Sequence, residues 1–188
     1  MKDGARVPFY DAEVSVLIDE RALQSRVREL GAEITRDYAG KELTVVAILK
    51  GSIFFAADLT RAIDLPLTLE FLGVSSYAGR TETTGEVRIT TDVSTPLSGK
   101  DLLVVEDIVD TGLTMKFLLD NLRARKPASL RLCALLEKPS RARAKADLDY
   151  TGFVIDDVFV VGYGLDYAER YRNLPFIGRM NATGEREK

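Results

Sequence analysis

Histidine is missing from all 188 residues of the chain. That absence excludes serine–histidine and cysteine–histidine catalysis and every histidine-ligated metal site. Any general base must be a carboxylate, a lysine or a tyrosine. Any metal must be held mainly by oxygen, which points to magnesium, manganese or calcium. Cysteine is nearly missing too. The one thiol, Cys133, cannot form an intrachain disulfide, and its setting in LRLCALL reads as a small buried hydrophobe. The chain has no apolar run of the roughly 18 residues needed to cross a bilayer, and its N-terminus lacks the apolar core of a signal peptide. A cytoplasmic protein with no membrane partner is therefore expected, and the sequon at Asn181 is read as chance. A formal net charge of −3 gives no broad electrostatic case for nucleic acid, although a local basic patch can still hold phosphate.

What is present suits one globular domain spanning 1–188, with 46% hydrophobic and 29% charged residues. After Asp19, a natural N-cap, Leu23, Val27, Leu30 and Ile34 follow helical spacing. Residues 44–49 (TVVAIL) form a continuous apolar run ending at Lys50-Gly51, and a helical stretch follows in IFFAADLTRAI. Strands are expected at 67–74, 101–105, 129–136 and 158–162. Met115, Leu118, Leu119 and Leu122 line one face of a helix that Pro127 ends. Apolar strands alternating with helices indicate a parallel sheet covered on both sides. Residues 75–99 are polar and read as a flexible hairpin or lid. The polar tail 181–188 is expected to fray.

The most informative segment is VVEDIVDTGLTM, residues 104–115. A buried strand runs into an acidic turn and delivers Glu106 and Asp107 to the sheet's carboxyl edge, where open parallel sheets bind ligands. Asp110-Thr111-Gly112-Leu113-Thr114 then opens a helix. Unpaired N–H groups and the helix dipole favour an anion there, Thr111 and Thr114 add hydroxyl donors, and Gly112 allows close backbone approach. The spacing and the lack of a lysine exclude a Walker A loop. Carboxylates beside a phosphate cradle make sense if they face sugar hydroxyls and a divalent cation. A sugar phosphate satisfies both halves.

This segment resembles the phosphoribosyl pyrophosphate signature of type I phosphoribosyltransferases, in the form found in the hypoxanthine–guanine branch. VVAILKGSIFF (45–55), FLGVSSYAGRTETTGEV (71–87), ALLEKPSR (134–141) and VFVVGYGLDYAERYRNLPFIG (158–178) resemble that branch in the same order, over roughly residues 10–180. The resemblance implies an α/β type I phosphoribosyltransferase fold, with a mainly parallel sheet flanked by helices over about 40–165 and a small hood from the two chain ends. It implies transfer of the 5-phosphoribosyl group to hypoxanthine or guanine with Mg2+, in a homodimer or homotetramer.

By resemblance, Glu106 and Asp107 hold the ribose hydroxyls close to magnesium, the loop 110–114 holds the 5-phosphate, and Asp110 is the general base for the purine N7 proton. Lys50-Gly51, often with a non-proline cis peptide, and Arg172 contact pyrophosphate. Lys138 donates to the purine O6, Phe159 stacks on the ring, the Val160 backbone reads its edge, and Asp166 lies near the purine and a second magnesium. Ser76 and Tyr77 belong to the lid that shields the reaction centre. Gly164, where relatives commonly carry alanine, is expected to loosen the loop before Asp166 slightly. Two other readings stay open: a regulator of this fold that binds RNA or protein, and an enzyme for xanthine or a pyrimidine.

Overall fold

The computed structural model describes residues 14–76, 87–141, 143–144 and 147–180. Tyr77 and the tail 181–188 lie outside the described residues. The chain opens with a strand, β1 (Val14–Ile18), and then α1 (Glu20–Asp37), whose N-cap Asp19 accepts a hydrogen bond from the Ala22 N–H at 2.8 Å. The apolar run of 44–49 becomes β2 (Leu43–Leu49), followed by α2 (Ile53–Ala62), β3 (Leu67–Ser76) and β4 (Val87–Thr91). Next come β5 (Asp101–Val109), α3 (Leu113–Ala124), β6 (Ser129–Glu137), β7 (Tyr150–Val154), β8 (Val160–Val161) and β9 (Ile177–Met180).

Six strands form the main sheet in the order β4-β3-β2-β5-β6-β7. All neighbours run parallel except β4, which returns antiparallel along β3. Alternate residues of each central strand serve opposite faces. Val45, Ala47, Leu103 and Val105 pack with α1 and α2, whereas Val46, Ile48, Leu102 and Val104 pack with α3. That two-sided burial is why these strands read as unbroken apolar runs. Cys133 is fully buried among them, and burial pushes its thiol far up from the usual range.

Two expectations need correction. The strand expected at 101–105 continues through Val109, so Glu106 and Asp107 lie on β5 rather than in a turn. The strand expected at 158–162 is only Val160–Val161, and it pairs antiparallel with β9 in a separate three-stranded sheet, β1-β9-β8. There, β9 joins β1 across almost the whole chain. Gly162, at φ +96°, ends β8. Ile18, Val160 and Ile177 from this small sheet share a core with α1 and α2.

One buried carboxylate ties the β3–β4 hairpin down. Glu70 on β3 accepts hydrogen bonds from the Thr95 hydroxyl (2.7 Å) and from the Ser94 N–H (2.9 Å) and hydroxyl (3.0 Å). These bonds, led by that of Thr95, hold its carboxyl below the usual glutamate range. A depressed folded value means the stabilisation is present above the unfolded value of about 4.3 and is lost as pH falls through the folded one. Glu70→Gln is expected to cost about 1.5–3 kcal/mol at pH 7, the range for hydrogen bonds to a charged group. Urea unfolding at pH 7 and pH 3 checks this: the gap between wild type and variant should narrow at the lower pH.

Candidate active site

The parallel strands β2 and β5 end side by side, and their ends and the loops beyond them line a cleft of about 350 Å³, with Val74 of β3 and, from later in the chain, Asp166 and Arg172. Lys50 and Gly51 enter it from the end of β2, after a cis peptide bond between Leu49 and Lys50. Glu106 and Asp107 enter from β5. A Cβ at Gly51 would run into the Asp107 carboxylate, so the β2 loop passes close against the end of β5. Glu106 is buried, and burial pushes its carboxyl well above the ordinary range, with the adjacent Asp107 adding to the effect. The Asp107 N–H and the Ile108 N–H donate to the carboxylates of Glu106 and Asp107 at 3.2 and 2.9 Å.

Beyond β5 the chain turns through Asp110, Thr111 and Gly112 into α3. Gly112 is the N-cap, at φ +76°, and carries no side chain that could occupy the free N–H groups of the first turn. Those groups and Thr111 and Thr114 border the cleft, where free N–H groups and hydroxyls can meet an anion. Leu113 starts the helix but is half exposed and is not among the residues lining the cleft.

The loop after β6 clasps this cradle. The Lys138 N–H donates to the Val109 carbonyl at 3.0 Å, and the Arg143 and Ala144 N–H groups both donate to the Thr111 carbonyl, at 2.9 and 3.0 Å. Arg141, in a short 3₁₀ turn (Pro139–Arg141), places its Nε 2.9 Å from Asp110 Oδ1 and pairs with Asp157 at 3.2 Å. In the sequence, Arg141 is only the last residue of the ALLEKPSR motif. Its partners come from elements far apart in the chain, so spacing could not reveal its role.

Asp166 and Arg172 close the far wall and pair at 2.8 Å. Arg172 also donates to the Gly164 carbonyl at 2.7 Å. Glu169 reaches both Lys50 (2.9 Å) and Arg172 (3.4 Å), so one exposed carboxylate neutralises the two cations read as pyrophosphate contacts. Gly164 does not loosen its loop. It sits at φ +106° where a Cβ would collide with the Gly51 carbonyl, so an alanine does not fit this local backbone.

Lys138, Phe159 and Val160 flank the cleft rather than line it. The Lys138 side chain is 7% exposed, with Asp157 3.9 Å away. Phe159 is 52% exposed and meets Tyr167 edge-on at 5.7 Å, whereas Val161 is fully buried. So Val161 belongs to the core, and Phe159 offers a free ring face. Val160 is buried in β8, paired with Arg179 of β9. Ser76 ends β3.

The donor set suits a hard cation. The cleft offers carboxylates from Glu106, Asp107 and Asp166, and the crowded Glu106–Asp107 pair would gain from a positive charge. Among the described residues no three such groups converge as a closed metal site.

A carboxylate-bearing strand end, a helix N-terminus and flanking cations at the carboxyl edge of a parallel sheet define an α/β protein whose cleft has the chemistry a phosphorylated sugar calls for. Comparison with known proteins narrows the class. The Phosphoribosyl transferase domain family matches residues 14–168. A hypoxanthine-guanine phosphoribosyltransferase of Staphylococcus aureus is 50% identical over 165 residues, covering 88% of this chain and 92% of that protein. The solved structure of a hypoxanthine-guanine phosphoribosyltransferase from Bacillus anthracis superposes with a TM-score of 0.83 at 49% identity, covering 87% of this chain and 96% of that one. The bifunctional protein TilS/HprT of Listeria monocytogenes is 48% identical over 175 residues; the chain spans 27% of that protein's length. The chain belongs to the phosphoribosyltransferase family, in its hypoxanthine–guanine branch.

Proposed function

We propose that the chain transfers the 5-phosphoribosyl group from phosphoribosyl pyrophosphate to hypoxanthine or guanine, giving IMP or GMP and pyrophosphate. One observation carries the choice of base. Val109 and Glu137 are partners in the parallel β5–β6 pairing, so Asp110 and Lys138 follow side by side at the strand ends. Neighbouring strands lie about 4.8 Å apart. In a 6-oxopurine, N7 and O6 are neighbours on one edge. An acceptor for the N7 proton beside a donor to O6 is the arrangement that edge requires.

The remaining residues take complementary parts. The cradle at 111–114 holds the 5-phosphate, Glu106 and Asp107 hold the ribose hydroxyls, and Lys50, the Gly51 backbone and Arg172 meet the pyrophosphate. Phe159 stacks on the purine and the Val160 backbone reads its edge; Asp166 sits near the purine and the metal. The three-stranded sheet of the chain ends serves as the hood that presents Phe159 and Val160. Glu106, Asp107 and Asp166 would hold magnesium, whose charge would offset that of the pyrophosphate leaving group. Purine N9 then forms a bond to ribose C1 as the bond from C1 to the pyrophosphate oxygen breaks, and Asp110 takes the N7 proton. Assembly as a homodimer or homotetramer is what the family resemblance implies.

The test is turnover of purified protein with phosphoribosyl pyrophosphate, magnesium and, in turn, hypoxanthine, guanine, xanthine, adenine and uracil. Hypoxanthine or guanine should be consumed readily. Excess EDTA should abolish turnover, and magnesium or manganese should restore it, because every candidate ligand is a hard oxygen group. Full activity in EDTA rules out the metal role.

A further inference from the structure

Arg141 stands at a junction that the proposed chemistry needs and does not explain. Its guanidinium bridges two carboxylates from different parts of the fold: Asp110, beyond β5, and Asp157, in the segment leading to β8. Asp157 also lies 3.9 Å from Lys138 Nζ. Asp110 Oδ1 is buried, and although Arg141 Nε lies 2.9 Å away, the N–H is not aligned to make a hydrogen bond. The contact is therefore electrostatic and uses one carboxylate oxygen, which leaves the other for a substrate proton. Both carboxylates raise the guanidinium's affinity for its own proton, so the bridge stays charged.

We infer that Arg141 is a positioning residue: anchored by Asp157, it holds the Asp110 carboxylate in register with Lys138, so that proton acceptor and O6 donor meet the same purine edge. The inference rests on the proposed transfer to a 6-oxopurine. Asp157 is the shared fixed point. Its Oδ1 faces both Arg141, at 3.2 Å, and Lys138, at 3.9 Å, and Phe159 follows two residues later. The backbone bonds from Arg143 and Ala144 to Thr111 already fasten the same loop to the cradle. The loop thus keeps its place without the guanidinium, and removing Arg141 frees the carboxylate rather than the fold.

Misplacing a reacting group by about an ångström can cost roughly a hundredfold. Arg141→Gln is therefore expected to lower kcat with hypoxanthine by roughly 10–100-fold while KM for phosphoribosyl pyrophosphate changes by less than about threefold. The deciding measurement repeats the substitution where the Asp110 carboxylate is already absent. A residue that acts through that carboxylate has nothing left to position, so Asp110→Asn and Asp110→Asn/Arg141→Gln should turn over equally within about twofold. Equal proportional losses in both backgrounds would assign Arg141 a merely structural role and overturn the inference, as would an unchanged kcat in the single variant. A wild type inert toward every base overturns the proposed function itself, and this inference with it.

Discussion

Asp110→Asn is expected to lower kcat with hypoxanthine by roughly 10²–10⁴-fold, the span typical of removing a general base. The chain has no histidine to take over the proton, and the carboxylates that line the cleft beside Asp110 are read as ribose and metal contacts. The substitution is close to isosteric, and the position carries little of the fold. Helix α3 is capped at Gly112, so Asp110 is not its N-cap. The neighbouring Thr111 carbonyl, not the Asp110 side chain, fastens the loop to residues 143–144. Phosphoribosyl pyrophosphate should therefore bind within about threefold of wild type, since its 5-phosphate meets the backbone N–H groups of the cradle. Steady-state kinetics with a direct binding titration separate the two effects. A kcat within threefold of wild type would remove Asp110 from the chemistry.

The central strands and the cradle were legible because their physics is local. A strand buried on both faces must be apolar throughout, and a glycine entering a helix beside hydroxyls and an acidic pair is a local pattern. Thus 44–49 fell one residue short of β2, and α1 begins after Asp19 as its cap predicts. The second sheet was not legible in detail. The register of Val14 with Met180 depends on pairing across the chain, and short strands such as Val160–Val161 carry no period of their own. The overrun of β5 has a physical cause as well. Glu106 and Asp107 look like turn residues by charge, yet Glu106 pairs with Ala134 and Val109 with Glu137, so the parallel ladder carries the acids on a strand. Of the cleft lining, the residues that lie in single motifs can be named from the sequence alone. Arg141 and Glu169 were not given roles, because each acts between elements that only the fold brings together.

Lys138 gives the sharpest test of substrate choice. Its side chain is almost fully buried at the end of β6, and an ammonium only donates hydrogen bonds. Hypoxanthine and guanine present the O6 acceptor to it. Adenine presents an amino group, so two donors would face each other and the desolvated lysine would lose a charge-assisted bond worth roughly 1.5–3 kcal/mol. Sites that leave buried polar groups unpaired discriminate by as much as about 10⁴-fold. Negligible turnover of adenine beside ready turnover of hypoxanthine is expected. Lys138→Gln should blur the difference, because an amide both donates and accepts: kcat/KM for hypoxanthine should fall, and the ratio between the two bases should shrink. The fold should tolerate the change, since Asp157 is half exposed and retains Arg141 as its partner. The measurement is kcat/KM for adenine, hypoxanthine and guanine, wild type against variant. Equal efficiency of the wild type on adenine and hypoxanthine would overturn both the role of Lys138 and the 6-oxopurine assignment. A variant that loses hypoxanthine turnover yet keeps the wild-type ratio would leave the assignment standing and move the discrimination to the backbone groups of the 158–161 segment.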